Sequence, residues 1–366
     1  MSERISLCHE HEKSADECAL PEISRRRESL LGLKRLSVLV VLIFLHVSPA
    51  FSWGPQGHED INKSAALKAP IGMEAFPSFF RSEESLQLLV YNGPEPDRWK
   101  KFPGYTRGQG HGPSHYANLD LLQYFPLAND HLTAIQMYQE RGIDRRLVGL
   151  LPYYIIETYE KLTVSFAEYR SAVKRGVNTR AIEFNILYYA GLLGHYVGDG
   201  SQPLHTASHH HGWIGENPNG HAMNEGIHRR FEVDFVRNIK VEDFQELVQN
   251  PSRLHAPYAE IMVYLKKTHS YTERVYELDK AGAFSQPTPE SLQFVKERLA
   301  AASQMLVDLW YTAWLESDKA DRAKNALRSG AFAGGGSCSE PSRNSNSFRG
   351  GEATPREYWS THGSVE

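Results

Sequence analysis

The order of apolar and polar residues divides the chain into helices, and one of them sets the frame for the others. The stretch AIEFNILYYAGLLGHYVGD, residues 181–199, is apolar nearly all round, the mark of a helix buried on every side. Gly200 and Pro203 are expected to stop it. A second long stretch, 288–327, has an amphipathic pattern with Pro and Glu in its first turn. Similar patterns predict helices over roughly 59–68, 82–91, 129–141, 144–175 with a break near Thr163, 226–248 and 255–280. No stretch sustains period-two alternation with hairpin turns, and no internal repeat is visible. The fold expected is therefore all-α, a single multi-helix domain around a central buried helix. Two segments rich in Gly, Pro and polar residues, 92–118 and 200–225, interrupt the pattern. Ordered loops of that length are more often functional than connective.

Both ends of the 366-residue chain depart from this pattern. Residues 1–35 are polar and end in a basic run, and the apolar part, Leu36 to Val47, is too short for a typical membrane-spanning helix. With Pro49 and the small residues Ala50 and Ser52 following, 1–52 reads as a signal peptide cleaved to leave Trp53 first. An uncleaved anchor is the alternative. Cleavage implies a secreted or periplasmic protein that is not transmembrane. Residues 329–366 are low-complexity and predict a disordered tail, which leaves 53–328 as the domain. Cys8 and Cys18 fall in the leader and Cys338 in the tail, so the mature chain can form no intramolecular disulfide. An exported protein without disulfides relies on its core or on metals. The net charge of −4 is unchanged by removing a leader that is itself neutral. That excludes the basic footprint of a duplex-DNA binder but leaves local phosphate capture open, and no stable protein partner is implied.

Chemistry enters at the end of the buried helix. His195 and Asp199 are four apart and share one helical face, and His205 follows in the turn. Ionisable groups delivered to a buried point need compensation, and a divalent metal supplies it. Alone, H-x3-D is as readily a hydrogen-bonded core pair. His58 sits in the opening Trp53-Gly54-Pro55-Gln56-Gly57-His58, where a freed Trp53 amine and carbonyl oxygen could chelate a metal. Asp97 lies in NGPEPDRWKKF and His115 in HGPSHYANLD, where capping and loop packing are the ordinary roles. His228 and Glu232 are again four apart on a predicted helix. His221 and Glu225 have the same spacing and compete with them. The run His209, His210, His211 is expected to form a polar loop near the cleft.

Together these residues resemble the zinc-dependent phospholipase C and S1/P1 nuclease superfamily. The family pattern H-x3-D-x5-H, with Gly before the Asp and Gln-Pro before the last His, is matched by His195-Tyr-Val-Gly-Asp199-Gly-Ser-Gln202-Pro203-Leu-His205. The family's mature chains begin with Trp, and the S1/P1 opening W-G-x-x-G-H is matched by Trp53 to His58. Asp97 and His115 match the loop ligands, and His228-Arg-Arg-Phe231-Glu232 matches the final H-x3-D/E with its preceding aromatic. The resemblance covers nearly all of 53–240.

It implies three zinc ions. Asp97, His115, His195 and Asp199 would hold one, and the Trp53 amine and carbonyl, His58 and Asp199 a second, with Asp199 bridging. His205, His228 and Glu232 would hold the third. The implied activity is a phosphodiesterase in which metal-activated water attacks phosphorus, Asp97 orienting the water and Lys100 meeting the transition-state charge. Lys100 departs from the family, whose nucleases carry Arg nearby. The opening motif and the long gap between His205 and His228 look like the nucleases, which cleave single-stranded nucleic acid. Glu232 in place of Asp, the H-Y-x-G-D wording and the lack of disulfides look like the bacterial phospholipases C. Beside the expected site stand Arg98 and Gly112 rather than an aromatic pair, which weakens choline recognition. Tyr105, Tyr116, Tyr124 and Trp213 are candidates for stacking on bases. A non-catalytic exported zinc-binding helical protein is a third reading, but structural zinc sites are commonly Cys-rich.

Overall fold

Asn62 shows how closely the helices approach. Its side-chain amide donates to Leu89 O at 2.7 Å and to Gly191 O at 3.1 Å, so one buried side chain joins three helices. These are α1 (Gly54–Lys68), α2 (Glu83–Asn92) and α6 (Arg180–Ser201). Such proximity needs glycine on α6. A Cβ built at Gly194 would lie 1.6 Å from Asn62 Oδ1, and one at Gly198 would lie 2.9 Å from His58 Nδ1. The Gly194 and Gly198 positions are thus the seat of α1.

The computed structural model describes residues 53–69, 76–100, 111–122, 128, 130–224 and 226–328. The predicted leader, the tail and Cys338 lie outside them. Among the described residues there is no strand, only an isolated bridge between Ala117 and Gly149. Further helices are α3 (Glu95–Lys100), α4 (His131–Glu140), α5 (Leu151–Lys174), α7 (Gly226–Arg229), α8 (Pro257–His269), α9 (Thr272–Lys280) and α10 (Pro289–Arg328), with two unnumbered four-residue helices at Leu119–Leu122 and Arg145–Val148. The protein is all-α, one helical domain. Helix α6 packs against α5, α10, α2, α1 and α8. Every residue from Ala190 to Ser201 is buried, as the all-round apolar pattern predicts. Beside it, Phe76, Phe80, Phe166, Trp310 and Trp314 form an edge-to-face aromatic cluster of the kind that adds to simple area burial. No described helix is long and apolar enough to cross a membrane.

Several boundaries differ from the sequence expectation. The break in 144–175 falls at Gly149, whose φ is +82°, not at Thr163. Thr163 stays helical, with its hydroxyl donating to Tyr159 O one turn back. Pro152 then occupies the first turn of α5, where a missing N–H costs nothing. The 226–248 stretch is not one helix. After α7 it becomes a π turn (Arg230–Phe235) and short 3-10 turns, interrupted by extended backbone at Ile239 and Lys240. The 255–280 stretch splits into α8 and α9 at Ser270 and Tyr271. Gly200 does not stop α6, which runs through Ser201 to a cap at Gln202 ahead of Pro203. Part of the supposed 92–118 loop is helical, since α3 carries Asp97.

Candidate metal centre

The end of α6 places Asp199 at the hub of four histidines. Its carboxylate oxygens lie 3.0 Å from His115 Nδ1, 3.3 Å from His195 Nε2, 3.6 Å from His58 Nε2 and 3.8 Å from His205 Nδ1. His195 is on the same face of α6, His58 comes from α1 and stacks on the His195 ring at 4.0 Å, and Asp97 comes from α3. His115 ends a 3-10 turn (Gly112–His115) and His205 ends another (Pro203–His205). These two turns are tied together, with Ala117 N donating to His205 O at 2.9 Å and Leu119 N to Thr206 O at 3.0 Å. Glu232 comes from the π turn, a distortion that recurs at functional sites. The neighbouring Phe231 is sealed against Trp53 and Phe284.

Buried His, Asp and Glu side chains therefore lie at metal-binding distance, in groups whose donor atoms are within 4.8 Å of one another. The groups are His115, His195 and Asp199; His58, Asp97 and His195; and His205, His228 and Glu232. His58 falls beside Asp97 and His195 as well as near Asp199, whereas the resemblance pairs it with Asp199 and Trp53. The indole of Trp53 is buried and donates to Ser201 Oγ at 2.8 Å, one turn from the hub. The state of the Trp53 amine depends on the leader, which lies outside the described residues.

The proton positions fit a cation. A carbonyl oxygen only accepts, so a ring nitrogen facing one must carry the proton. His195 Nδ1 donates to Gly93 O at 2.9 Å, His205 Nδ1 to His115 O at 2.6 Å and His228 Nδ1 to His210 O at 2.7 Å. In a neutral ring each Nε2 then holds a lone pair. The His205 and His228 Nε2 atoms are 3.1 Å apart, and Glu232 Oε2 is 2.7 Å from the latter and 3.7 Å from the former. Three lone pairs facing one point repel one another unless a cation sits among them. Bonds of about 2.0–2.1 Å around a tetrahedral zinc put neighbouring donors about 3.3 Å apart, in the middle of these spacings. Asp199 Oδ1, Glu232 Oε1 and His115 Nε2 are buried and make no hydrogen bond among the described residues. Backbone carbonyls that fix the tautomer of each histidine are the usual outer partners of metal ligands.

Electrostatics agree. Burial lowers His205 and His228 to about 4 and holds His115 well below the ordinary range, so the rings are neutral and ligand-competent. Burial raises Glu232 to about 7, against the pull of His205 and Gln202. Burial, reinforced by Asp97, raises Asp199 well above the carboxylate range. Asp97 differs. Burial pushes it up, but Lys100, 2.7 Å away, with His195 and His58, brings it below its ordinary value. Asp97 is thereby held as an anion beside Lys100.

A cleft of about 140 Å³ opens onto this cluster. Lys100, His115, His205, His210, His211 and His228 line it, while His58, Asp97, His195 and Asp199 are wholly buried behind it. Tyr116 stands at its edge with its hydroxyl engaged on Arg146 O at 2.5 Å. Trp213 stacks on His209 at 4.2 Å. Tyr105 and Tyr124 lie outside the described residues. A much larger groove of about 1180 Å³, between α4, α5, α8 and α10, contains none of the expected site residues. Chemistry, not size, selects the cleft.

The competing His221 is packed between Trp213 and Tyr276, with Nε2 3.5 Å from Glu273. Glu225 lies outside the described residues. The structure brings His228, not His221, to His205. What the sequence did not single out are the carbonyls of Gly93, His115 and His210, which carry no side-chain signal. Gln202, visible only as part of the motif, donates to Glu232 Oε2 at 3.0 Å. Compared with known proteins, the chain matches no family model and no curated protein.

Proposed function

We propose that this chain is a zinc-dependent phosphodiesterase of the S1/P1 nuclease type, acting on single-stranded nucleic acid. The observation that carries the proposal is the lone-pair arrangement: neutral imidazoles, tautomers fixed by carbonyls, turned toward buried carboxylates. In this reading His115, His195 and Asp199 would hold one ion, and His58 and Asp97, which group with His195, a second to which Asp199, 3.6 Å from His58 Nε2, would also contribute. His205, His228 and Glu232 hold a third. N/O donor sets without cysteine suit catalytic rather than structural zinc. Bound, such ions polarise a phosphoryl oxygen and lower the pKa of water.

The chain's own residues do the rest. Burial alone would lower Lys100, but Asp97 and Asp199 raise it, so its ammonium stays charged at the cleft. There it attracts an anionic phosphoryl group and orients it against the histidine wall. Among the described residues no carboxylate lines the cleft, because Asp97, Asp199 and Glu232 are fully buried behind it. The opening therefore favours an anion. The walls hold the wholly buried donors away from bulk water, which strengthens their charges.

The test measures zinc content alongside hydrolysis of single-stranded DNA, phosphatidylcholine and bis-p-nitrophenyl phosphate. The expected outcome is three zinc ions per chain with preferential cleavage of DNA. Preference for phosphatidylcholine would assign phospholipase C activity instead. Zinc binding without turnover of any of the three would leave a binding protein and reject the enzyme.

A further inference from the structure

One of the three donors in the His205, His228 and Glu232 group is positioned by a turn outside that group. His228 takes its tautomer and ring direction from the carbonyl of His210. That carbonyl belongs to the turn His209–Gly212, which is exposed at His211. Tyr276 on α9 closes this turn. Its buried hydroxyl donates to His209 O at 2.5 Å and accepts from the Gly212 N–H. The Tyr276 ring also meets Trp213 edge-on at 5.2 Å and His221 at 5.3 Å, gripping both arms of the loop. The arms pair through Trp213 N and Ala222 O at 2.9 Å. They approach so closely that a Cβ at Gly212, where φ is +133°, would lie 2.6 Å from the Met223 carbonyl carbon. Asn219 fastens the loop tip by donating to Glu273 at 2.5 Å and accepting from Lys280 through its carbonyl at 2.6 Å.

We infer that Tyr276 is the positioning residue of the His205–His228–Glu232 site, acting through the His209–Gly212 turn to aim His228 Nε2 at the bound cation. This rests on the metal-binding reading above and adds that one of the sites depends on α9 while the others do not. His58, Asp97, His195 and Asp199 stand on α1, α3 and α6. Removing the Tyr276 hydroxyl should leave them as they were.

The experiment counts zinc per full-length chain across buffered zinc concentrations, for wild type, Tyr276→Phe and Gly212→Ala. Tyr258→Phe serves as control, since it too loses a tyrosine hydroxyl that donates to a backbone carbonyl, Ala128 O, but at a distance from the centre. Loss of an outer partner typically weakens metal affinity about 10–100-fold. Tyr276→Phe should therefore weaken one ion of three by about tenfold, leave two unchanged and melt like the control when zinc-free. Gly212→Ala should weaken the same ion further. In a Glu232→Gln background, which lacks that site, Tyr276→Phe should change nothing more. Wild-type affinity for all ions in Tyr276→Phe, or equal weakening of all of them, would overturn the inference alone. Wild-type protein that takes up no zinc would overturn the metal reading with it.

Discussion

Two halves of one centre are built from the same donors by different means. Around Asp199 the ligand-type groups are buried and centre on the long helices α1 and α6, whose approach depends on Gly194 and Gly198, with Asp97 and His115 added from a short helix and a 3-10 turn. Around Glu232 they come from a 3-10 turn, a four-residue helix and a π turn, steered by a loop carbonyl and facing a cleft. The inner half is part of the core, so its geometry is as rigid as the core. The outer half is set by hydrogen bonds between loops, which open locally at lower free energy than packed helices. Identical side-chain chemistry can thus be given either permanence or access.

The largest effect should come from Asp199→Asn, which strikes the inner hub. It is expected to lose two ions and nearly all hydrolysis while the outer site still binds. Retention of full zinc content, measured by elemental analysis, would refute a bridging role. Next is Lys100→Ala at the boundary between the halves. Removing a cation aimed at developing charge typically costs about 10²–10³ in kcat, and zinc content should not change; an unaltered kcat would deny Lys100 its role. Gly194→Ala tests the packing of the inner half. A methyl group 1.6 Å from Asn62 Oδ1 has no room, and overpacking of this kind costs about 1–3 kcal/mol. A melting temperature equal to wild type would show that α1 can shift freely. A chelator should strip the outer ion first, since two of its three donors, His205 and His228, line the cleft, against only His115 among the inner donors. Simultaneous release of all ions would erase the distinction.

The smallest effect concerns pH in zinc-free protein. His205 and His228 are depressed from 6.5 to about 4, so their contribution to stability is complete above pH 6.5 and lost as pH falls toward 4. Glu232, raised from 4.5 to about 7, acts oppositely: its contribution is complete below pH 4.5 and lost as pH rises through 7. Two imidazoles outweigh one carboxyl between those limits. The outer half should therefore weaken the protein on acidification from pH 6.5 to 4.5. Comparison of urea midpoints with a His205→Ala, His228→Ala double variant checks this, and an equal pH slope in both would contradict it.

The inner half was the more legible one. An apolar run with two ionisable residues four apart can be read directly, because helical periodicity ties sequence spacing to direction in space. Gly198 before Asp199 was visible as a motif letter, but its reason, the His58 ring 2.9 Å from where a Cβ would be, is a contact between distant segments. The outer half was ambiguous. His221 and His228 offered the same spacing to an acid, and locally only Phe231 before Glu232 and the expected helix favoured His228. The predicted helix over 226–248 was also wrong in kind, since a π turn around Glu232 has no distinct periodic signature.

From the sequence alone come the all-α class and the buried helix, which follow from residue type and short-range spacing, and a set of candidate donors, which rests on a family resemblance. The tertiary structure alone decides which donors meet, which nitrogen each imidazole turns inward, and which half faces the cleft. Those outcomes depend on carbonyls at Gly93, His115 and His210. Every residue has a carbonyl, and only the folded chain says where it points.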